Sequence, residues 1–228
     1  SSSVISPYIN LYNCVIENGF NINQNSKPSV VDNCCIGGFT FGAATKVTII
    51  YAKNVTISNT KFAASGYSLG VVYVNTSSYT TFSNCEVLSC KARAGTYYNL
   101  NFSLSNNCSA TNLKVKGGGG VNSSGSSNIS ISNVDYIDRM ASATTASNSA
   151  NVLNISGTTN LTFSGLTFGE NFTLSNTQCY GNIVATSAAS INTNIKIRNI
   201  GTRSNLLNVG SNATFYPQSI VNLGGSDF

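Results

Sequence analysis

Charge is scarce in this sequence, and the shortage narrows the functions open to it. Twelve basic and seven acidic residues make up 8% of the 228 positions, whereas a globular chain typically carries about 25%. The net charge of +5 is spread along the chain, so no basic patch indicates nucleic acid as a partner. No apolar run approaches the ~18 residues of a membrane span, and we expect none.

Histidine and tryptophan are absent, and methionine occurs once. Without histidine the sequence excludes a Ser-His-Asp triad. Since it also lacks a CxxC pair, it disfavours a zinc site, and we expect no metal and no cofactor. The opening SSSVIS carries no signal-peptide pattern, as expected of a mature chain or a cut fragment.

A nine-residue pattern recurs along the chain, as in NVTISNTKF from Asn54 to Phe62. Aligned without gaps, its eight copies start at Tyr8, Pro28, Asn54, Tyr79, Asn107, Asn128, Asn160 and Asn194. The steps run from 20 residues (Tyr8 to Pro28) to 34 (Asn160 to Asn194). Steps of this size are typical of solenoids, in which loops of different length leave a constant unit.

Within the pattern, apolar and polar residues alternate as in a half-buried strand. The fourth position is apolar and reads Leu11, Val31, Ile57, Phe82, Ala110, Ile131, Phe163 and Ile197. The sixth position is Asn13, Asn33, Asn59, Asn84, Asn112, Asn133, Gly165 and Asn199. Asn and Gly tolerate a left-handed backbone, so the sixth position predicts a sharp corner. Stacked coils lie about 4.8 Å apart, which lets these asparagines form a hydrogen-bonded ladder.

A third short strand precedes most copies, marked by pairs such as Val72 with Val74 and Leu153 with Ile155. The chain therefore resembles the right-handed parallel β-helix of the pectate-lyase-like and phage-tailspike group, where an asparagine ladder marks one corner. The resemblance implies an all-β, single-stranded β-solenoid of about eight to nine coils with three short strands per coil. That fold carries enzymes, adhesins and inert shafts alike.

We expect a single β-helix domain over residues 1–228, with regular coils over about 8–202 and a degenerate terminal coil over about 203–228. The segment Leu207 to Phe215 looks like a degenerate ninth copy, ended by Pro217. Asn171 to Cys179 also fits the pattern but starts only 11 residues after Asn160. We interpret it as part of a long loop over 169–182.

Carboxylates are too few for a clear active site. Enzymes of the group that this chain resembles cluster Asp residues, and glycoside hydrolysis uses two carboxyl groups. The outward eighth position reads Lys61, Glu86, Lys114 and Asp135 on consecutive coils, which predicts a structural column of alternating charge. Asp138 and Glu170, with Arg139 adjacent, remain weak catalytic candidates, and a solvated loop charge is the favoured interpretation of both.

The seven cysteines are odd in number, so at least one is free or intermolecular. Cys14, Cys34 and Cys85 share the inward seventh position, and Cys108 lies at the inward second. Buried cysteine behaves as a small hydrophobe, so we expect reduced thiols that fill the core. A Cys14–Cys34 disulfide between adjacent coils stays an alternative.

Recognition is expected on loops that a rigid scaffold carries, here Ser89 to Thr96, Asp138 to Ala150 and Gly169 to Asn182. The candidate ligand-binding residues in or beside them are Lys91, Arg93, Tyr97, Tyr98 and Tyr180. Packing of Tyr97 and Tyr98 at a strand entrance is the alternative. The third position, Thr56, Thr81, Ser109, Ser130 and Thr162, predicts a flat hydroxylated surface for a second subunit or a glycan.

Three functional hypotheses follow. The favoured one is a non-catalytic segment of an external fibre, such as a phage tail fibre or tailspike, on a virion or extracellular surface. It would form a homo-oligomer, with a trimer favoured, and a surface polysaccharide is its candidate ligand. The alternatives are a polysaccharide lyase or hydrolase on the same fold and a secreted filament subunit that stacks end to end through exposed strand edges.

Overall fold

The fold was analysed in a computed structural model. It describes residues 5–6, 8–17, 19–37, 47–64, 71–89, 98–116, 119–137, 153–169, 178–181, 184–186, 193–202, 214–217 and 221–222. Within these ranges every regular element is a β-strand. No helix in the described ranges is long and apolar enough to cross a membrane.

One parallel sheet runs the length of the described chain and contains one strand from each of nine coils. With strands numbered along the chain, these are β1 (Ile5–Ser6), β4 (Phe20–Asn23), β7 (Val47–Ile50), β10 (Val72–Asn75), β12 (Tyr98–Ser103), β14 (Gly119–Ser124), β16 (Leu153–Ser156), β19 (Val184–Thr186) and β22 (Val221–Asn222). We call it the first sheet.

The second sheet is also parallel and is built from the nine-residue repeat. Its strands are β2 (Asn10–Tyr12), β5 (Ser29–Asp32), β8 (Lys53–Ser58), β11 (Ser78–Ser89), β13 (Asn106–Lys116), β15 (Ser127–Ile137), β17 (Thr159–Gly169) and β20 (Thr193–Thr202). Beyond a corner, β3 (Val15–Ile16), β6 (Cys35–Ile36) and β9 (Lys61–Ala64) continue it as a third face. From β11 onward one strand runs through that corner. The chain is a right-handed parallel β-helix, as the sequence predicted.

The register between coils confirms all eight copies of the repeat. Their third positions face one another across the second sheet: Asn10, Val30, Thr56, Thr81, Ser109, Ser130, Thr162 and Lys196. Because side chains alternate between the two faces of a strand, this register sends the fourth-position residues from Leu11 to Phe163 inward.

The core is a stack of aliphatic and aromatic side chains from both sheets. Phe62, Phe102 and Phe163 are fully buried, and burial of each such side chain stabilises the fold by about 1.5–3 kcal/mol. The rings of Phe82 and Phe102, from opposite sheets, meet edge to face with centroids 6.1 Å apart. A T-shaped pair of this kind adds to the stability that burial supplies.

The interpretation of residues 169–182 as a loop needs correction. This stretch contains a strand, β18 (Gln178–Gly181), which pairs in parallel with β21 (Thr214–Pro217) as a separate small sheet. The expected ninth copy over 207–215 is described only at Thr214 and Phe215, which belong to β21. Pro217, the last residue of β21, has no backbone N–H to donate to a neighbouring strand.

Candidate functional site: an apolar corner of the β-helix

The predicted asparagine corner is held by side-chain amides that bond from one coil to the next. Each later asparagine donates from Nδ2 to Oδ1 of the earlier one: Asn33 to Asn13 (2.7 Å), Asn84 to Asn59 (3.2 Å), Asn112 to Asn84 (2.9 Å) and Asn133 to Asn112 (3.0 Å). All six of these asparagines have φ between 49° and 54°, the left-handed region that Asn tolerates. Asn199 lies opposite Gly165 in the register of β17 and β20, and its side chain is outside the described part.

An acidic residue interrupts this ladder between the second and third coils. Asn59 donates to Oδ1 of Asp32 at 2.9 Å, and the Ser58 hydroxyl donates to the same oxygen at 2.6 Å. The hydrogen bond from Ser58, followed by that from Asn59, lowers the pKa of Asp32. The carboxylate thus replaces an amide acceptor in the ladder, and its role is structural.

A second asparagine ladder, which the sequence analysis did not predict, lies at the other end of the same strands. Asn128 donates to Asn107 at 3.1 Å, Asn160 to Asn128 at 2.9 Å and Asn194 to Asn160 at 2.7 Å. These residues occupy the first position of the repeat, where asparagine stands in five of the eight copies. That recurrence was the signal in the sequence.

This second corner, between the first and second sheets, is stiffened from inside by buried hydroxyls. The backbone N–H of Ala52 donates to Ser77 Oγ at 3.1 Å, and that of Ser105 donates to Ser126 Oγ at 3.1 Å. Between these pairs, the N–H of Ser77 donates to Ser105 Oγ at 3.3 Å. Because each buried amide finds a partner in the next coil, the corner is rigid.

In the fourth to seventh coils, two residues with positive φ bracket the buried hydroxyl of this corner, and in the third coil two such residues bracket Ala52. Several coils place Asn or Gly at these positions, such as Gly125 with Asn128 and Gly157 with Asn160. Three coils instead place a large apolar residue there: Tyr51 (φ 51°, 55% exposed), Tyr79 (φ 54°, 56% exposed) and Leu104 (φ 49°, 62% exposed). We call these three residues the apolar corner.

The left-handed backbone of the apolar corner lowers the stability of the fold, and burial of its side chains does not compensate. A left-handed backbone disfavours a side chain with Cβ by about 1–2 kcal/mol, and such strain concentrates at functional sites. Tyr51 and Tyr79 are more than half exposed, so burial offsets little of that cost. The three residues lie on consecutive coils, about 4.8 Å apart along the axis. The exposure and the strain together make the apolar corner a candidate site for contact with a ligand.

The chemistry of this corner fits a hydrogen-bonding ligand with apolar faces. Each tyrosine offers a ring face and a phenolic hydroxyl that donates and accepts. Asn54 and Asn107 are exposed beside Tyr79 at the same corner position in the flanking coils, and their amides supply further donors and acceptors. Tyr8, 41% exposed, occupies this position in the first coil, where Lys27 Nζ lies 5.4 Å from its ring centroid.

Most of the site residues predicted from the sequence are not among the described residues. Lys91, Arg93, Tyr97, Asp138, Arg139 and Glu170 are outside the described residues. Tyr180 is in β18, and its side chain is outside them too. Tyr98 was interpreted as a ligand-binding residue, but it is 8% exposed at the start of β12. This burial agrees with the alternative of packing at a strand entrance, and a ring so deeply packed presents little surface to a ligand.

The alternating charge column is present on the third face. Glu86 lies between Lys61, with Nζ 3.5 Å from Oε2, and Lys114, with Nζ 3.8 Å from Oε1. Lys114 faces Asp135 in the next coil. Glu86 in this column and Asp32 in the ladder therefore both have structural partners. No group of three or more His, Cys, Asp or Glu residues that would suit a metal ion occurs in the described part of the chain.

The side chains of five cysteines are described, and all five are free thiols. Cys34, Cys85 and Cys108 are buried, and Cys14 is half-buried against the core. Burial raises the pKa of Cys85 to about 11 and also raises those of Cys34 and Cys108. Cys35 points outward and is exposed. The buried thiols act as small core residues, and Cys35 is the accessible one of the five.

The outer face of the second sheet carries hydroxyls in two columns. The third position in β8, β11, β13, β15 and β17 is the predicted Ser/Thr column, and the fifth position adds Ser58, Ser83, Thr111, Ser132 and Ser164. All ten side chains are half-buried or exposed. Hydroxyls of neighbouring coils meet where Ser132 Oγ donates to Thr111 Oγ1 at 3.2 Å. We call these ten residues the hydroxyl face.

Comparison with known proteins gives similarity in structure only. No protein-family model matches the sequence, and no curated protein matches it. A protein from Parabacteroides merdae assigned as a glycosyl hydrolase aligns with a TM-score of 0.46 and 10% identity over 81% of each chain. The catalytic domain of a GH87 α-1,3-glucanase aligns with a TM-score of 0.29 and 13% identity, over 94% of this chain and 62% of that one.

The tailspike protein gp49 from Pseudomonas phage LKA1 aligns with a TM-score of 0.29 and 10% identity. This chain is covered over 94% of its length and spans 49% of the tailspike. None of these values assigns a function to this chain, so the functional proposal is based on its own residues.

Proposed function

We propose that this chain is a non-catalytic, adhesive β-helical segment of an external fibre, such as a phage tail fibre or tailspike, that contacts a surface glycan. The observation that carries the proposal is the apolar corner, where Tyr51 and Tyr79 hold strained backbones while their rings stay exposed. Aromatic rings stack on the CH faces of sugars, and neighbouring amides bond to sugar hydroxyls.

A neutral or weakly charged glycan suits this corner best. The described residues at the corner positions are aromatic, aliphatic, amide-bearing, hydroxylated or glycine. These positions themselves offer an anionic sugar no charged partner, and charge-assisted hydrogen bonds are the stronger ones. The lysines beside them are Lys53, next to Asn54, and Lys27, near Tyr8, which would suit a weakly charged glycan. Recognition by stacking and neutral hydrogen bonds is weak per site. Several copies of the chain in one fibre, for which we expect a trimer, would raise the apparent affinity through multivalency.

The role of the described carboxylates supports binding rather than hydrolysis. Asp32 accepts hydrogen bonds within the ladder, and Glu86 is paired with two lysines. Glycoside hydrolysis needs two carboxyl groups on opposite sides of one bond. Asp32 and Glu86 instead make contacts that stabilise the scaffold, and they lie on different coils.

The test asks whether the chain is retained on a polysaccharide without cleaving it. The purified chain is passed over a panel of immobilised capsular and cell-wall polysaccharides, and released reducing ends and unsaturated sugars are measured in parallel. We expect retention on at least one neutral polysaccharide with no released product. Release of product would replace the proposal with the enzyme alternative. Absence of retention across the panel, with the fold intact by circular dichroism, would reject glycan contact.

A double substitution links retention to the apolar corner. Tyr51→Gly with Tyr79→Asn introduces residues that other coils use at the same positions, so the fold is expected to persist. We expect retention to be lost. Tyr12→Ser is the matched control, because Tyr12 is equally exposed at 55% but lies on the second sheet, where other copies carry Ser. If retention persists in the double variant and falls with Tyr12→Ser, the glycan would bind at Tyr12 on the second sheet and not at the apolar corner.

A further inference from the structure

The hydroxyl face is periodic in two directions. Along the axis, coils repeat about every 4.8 Å, and along each strand the third and fifth positions are about 6.6 Å apart. Five consecutive coils keep Ser or Thr at both positions, so the array extends for about 19 Å along the axis. The strands that carry it pair in unbroken register, for example Thr81 with Ser109 and Ser109 with Ser130.

The array is uncharged although charges are available next to it in the same coils. On the third face, Lys61, Glu86 and Lys114 occupy the equivalent outward column. The hydroxyl face also carries no aromatic residue in these five coils. A sugar-stacking surface would use aromatic rings, as the apolar corner does. The composition of this face therefore points away from a glycan and toward a ligand that only exchanges hydrogen bonds.

A two-dimensional array of rigid hydroxyls matches a ligand that is itself a lattice of hydroxyl-like groups. Each Ser or Thr hydroxyl donates one hydrogen bond and accepts up to two, which is nearly the capacity of a water molecule. Ordered water bridges polar groups almost as favourably as a direct contact, and immobilising it costs up to about 2 kcal/mol for each molecule. A lattice in which the water is already ordered avoids that cost. The four Thr side chains of the face are β-branched and stiff about χ1, so they lose little side-chain entropy, and the other six residues are Ser.

We propose that the hydroxyl face binds crystalline water, adsorbing to the surface of ice through bridging water held in register by the coils. The site is separate from the apolar corner and does not depend on the glycan proposal. Thr56, Ser130 and Thr162 are exposed and form the accessible part of the array. Asp32 in the second coil and Lys196 in the eighth stand in register with the two ends of the array.

The test is inhibition of ice recrystallisation by the full chain. The double variant Ser109→Lys with Ser130→Lys places two charges in the centre of the array. The control Ser103→Lys with Ser124→Lys makes the same change in the same two coils, at outward half-buried positions of the first sheet. We expect the face variant to need at least about tenfold more protein to stop crystal coarsening, equivalent to about 1.4 kcal/mol. The control is expected to match the unmodified chain.

Two results would overturn the inference. One is an unmodified chain that slows coarsening no more than a non-binding globular protein of similar mass at equal concentration. The other is a folded face variant, by circular dichroism, that is as active as the control. If the double variant does not fold, Thr56→Lys at the exposed edge of the array serves in its place, and unchanged activity there would also overturn it. Glycan retention measured on the same variants should be unaffected.

Discussion

Tyr79 occupies in the fourth coil the corner position that Asn107 occupies in the fifth, and the two share nearly the same backbone, with φ of 54° and 52°. Asn107 uses that conformation to accept a hydrogen bond from Asn128 in the asparagine ladder. Tyr79 has no side-chain amide to extend the ladder toward Asn54. The scaffold is therefore less stable at the coil where the Tyr79 ring is exposed. On the proposed function, the same ring that lowers stability contacts the glycan.

Tyr79→Asn should stabilise the fold. Asn is favoured in the left-handed region, and relief of the strain is worth about 1 kcal/mol. For a chain of this size that corresponds to a rise in Tm of roughly 2–4 °C, measurable by differential scanning calorimetry. Tyr12→Ser has no positive φ to relieve and should leave Tm nearly unchanged. A fall in Tm for Tyr79→Asn would show that the ring supports packing.

Asp32 should make the stability depend on acid pH. Hydrogen bonds from Ser58 and Asn59 lower its pKa in the fold from the ordinary value of 3.8. Its contribution is therefore full above that value and is lost as the pH falls through the lowered pKa of the folded state. Urea unfolding of the unmodified chain and of Asp32→Asn, at neutral pH and at pH values below 3.8, tests this.

The Asn variant should show the smaller loss on acidification, because an amide oxygen accepts the same two hydrogen bonds without titrating. An equal acid loss in both proteins would assign the effect to other carboxylates.

Thiol reactivity should separate Cys35 from the buried cysteines among those described. Cys35 is exposed, whereas Cys85 is buried with a pKa of about 11, and reaction requires the accessible thiolate. At neutral pH a maleimide should label Cys35 in the folded protein and reach Cys85 and Cys108 only after denaturation, as read by peptide mass spectrometry. Cys35→Ser should remove its labelled peptide and leave the others. Early labelling of Cys85 would show that the core opens readily.

Gly37→Ala should destabilise the first coils. Gly37 has φ of 128°, and a Cβ there would collide with the backbone carbonyl of Ala63 in the next coil. Overpacking against backbone costs about 1–3 kcal/mol, measurable by urea unfolding. Gly125→Ala is the matched control, since its Cβ would meet only the Leu104 side chain, at 2.8 Å. That exposed side chain can move, so the control should lose less stability. Equal losses of stability in the two variants would show that the positive φ causes the destabilisation and that the collision with Ala63 does not.

The sequence predicted the scaffold better than the binding surface, for physical reasons. Two-residue alternation and the corner asparagines determine which side chains face inward, so all eight copies of the repeat have the expected register. The apolar corner was missed because Tyr51, Tyr79 and Leu104 are not residues that favour a left-handed backbone. Only the stacking of their coils imposes it. The sequence left ligand binding and packing open as alternatives for Tyr98, because an aromatic residue at a strand entrance has the same local sequence whether its ring packs or projects.

The most direct measurement is a calorimetric titration of one neutral polysaccharide, chosen by the retention panel, into the unmodified chain, Tyr79→Asn and Tyr12→Ser. We expect at least about tenfold weaker binding for Tyr79→Asn, equivalent to about 1.4 kcal/mol, together with a higher Tm in the same protein. Tyr12→Ser should bind as the unmodified chain does. Unchanged affinity in a stabilised Tyr79→Asn would contradict the account, because the strained ring would then serve neither the fold nor the ligand.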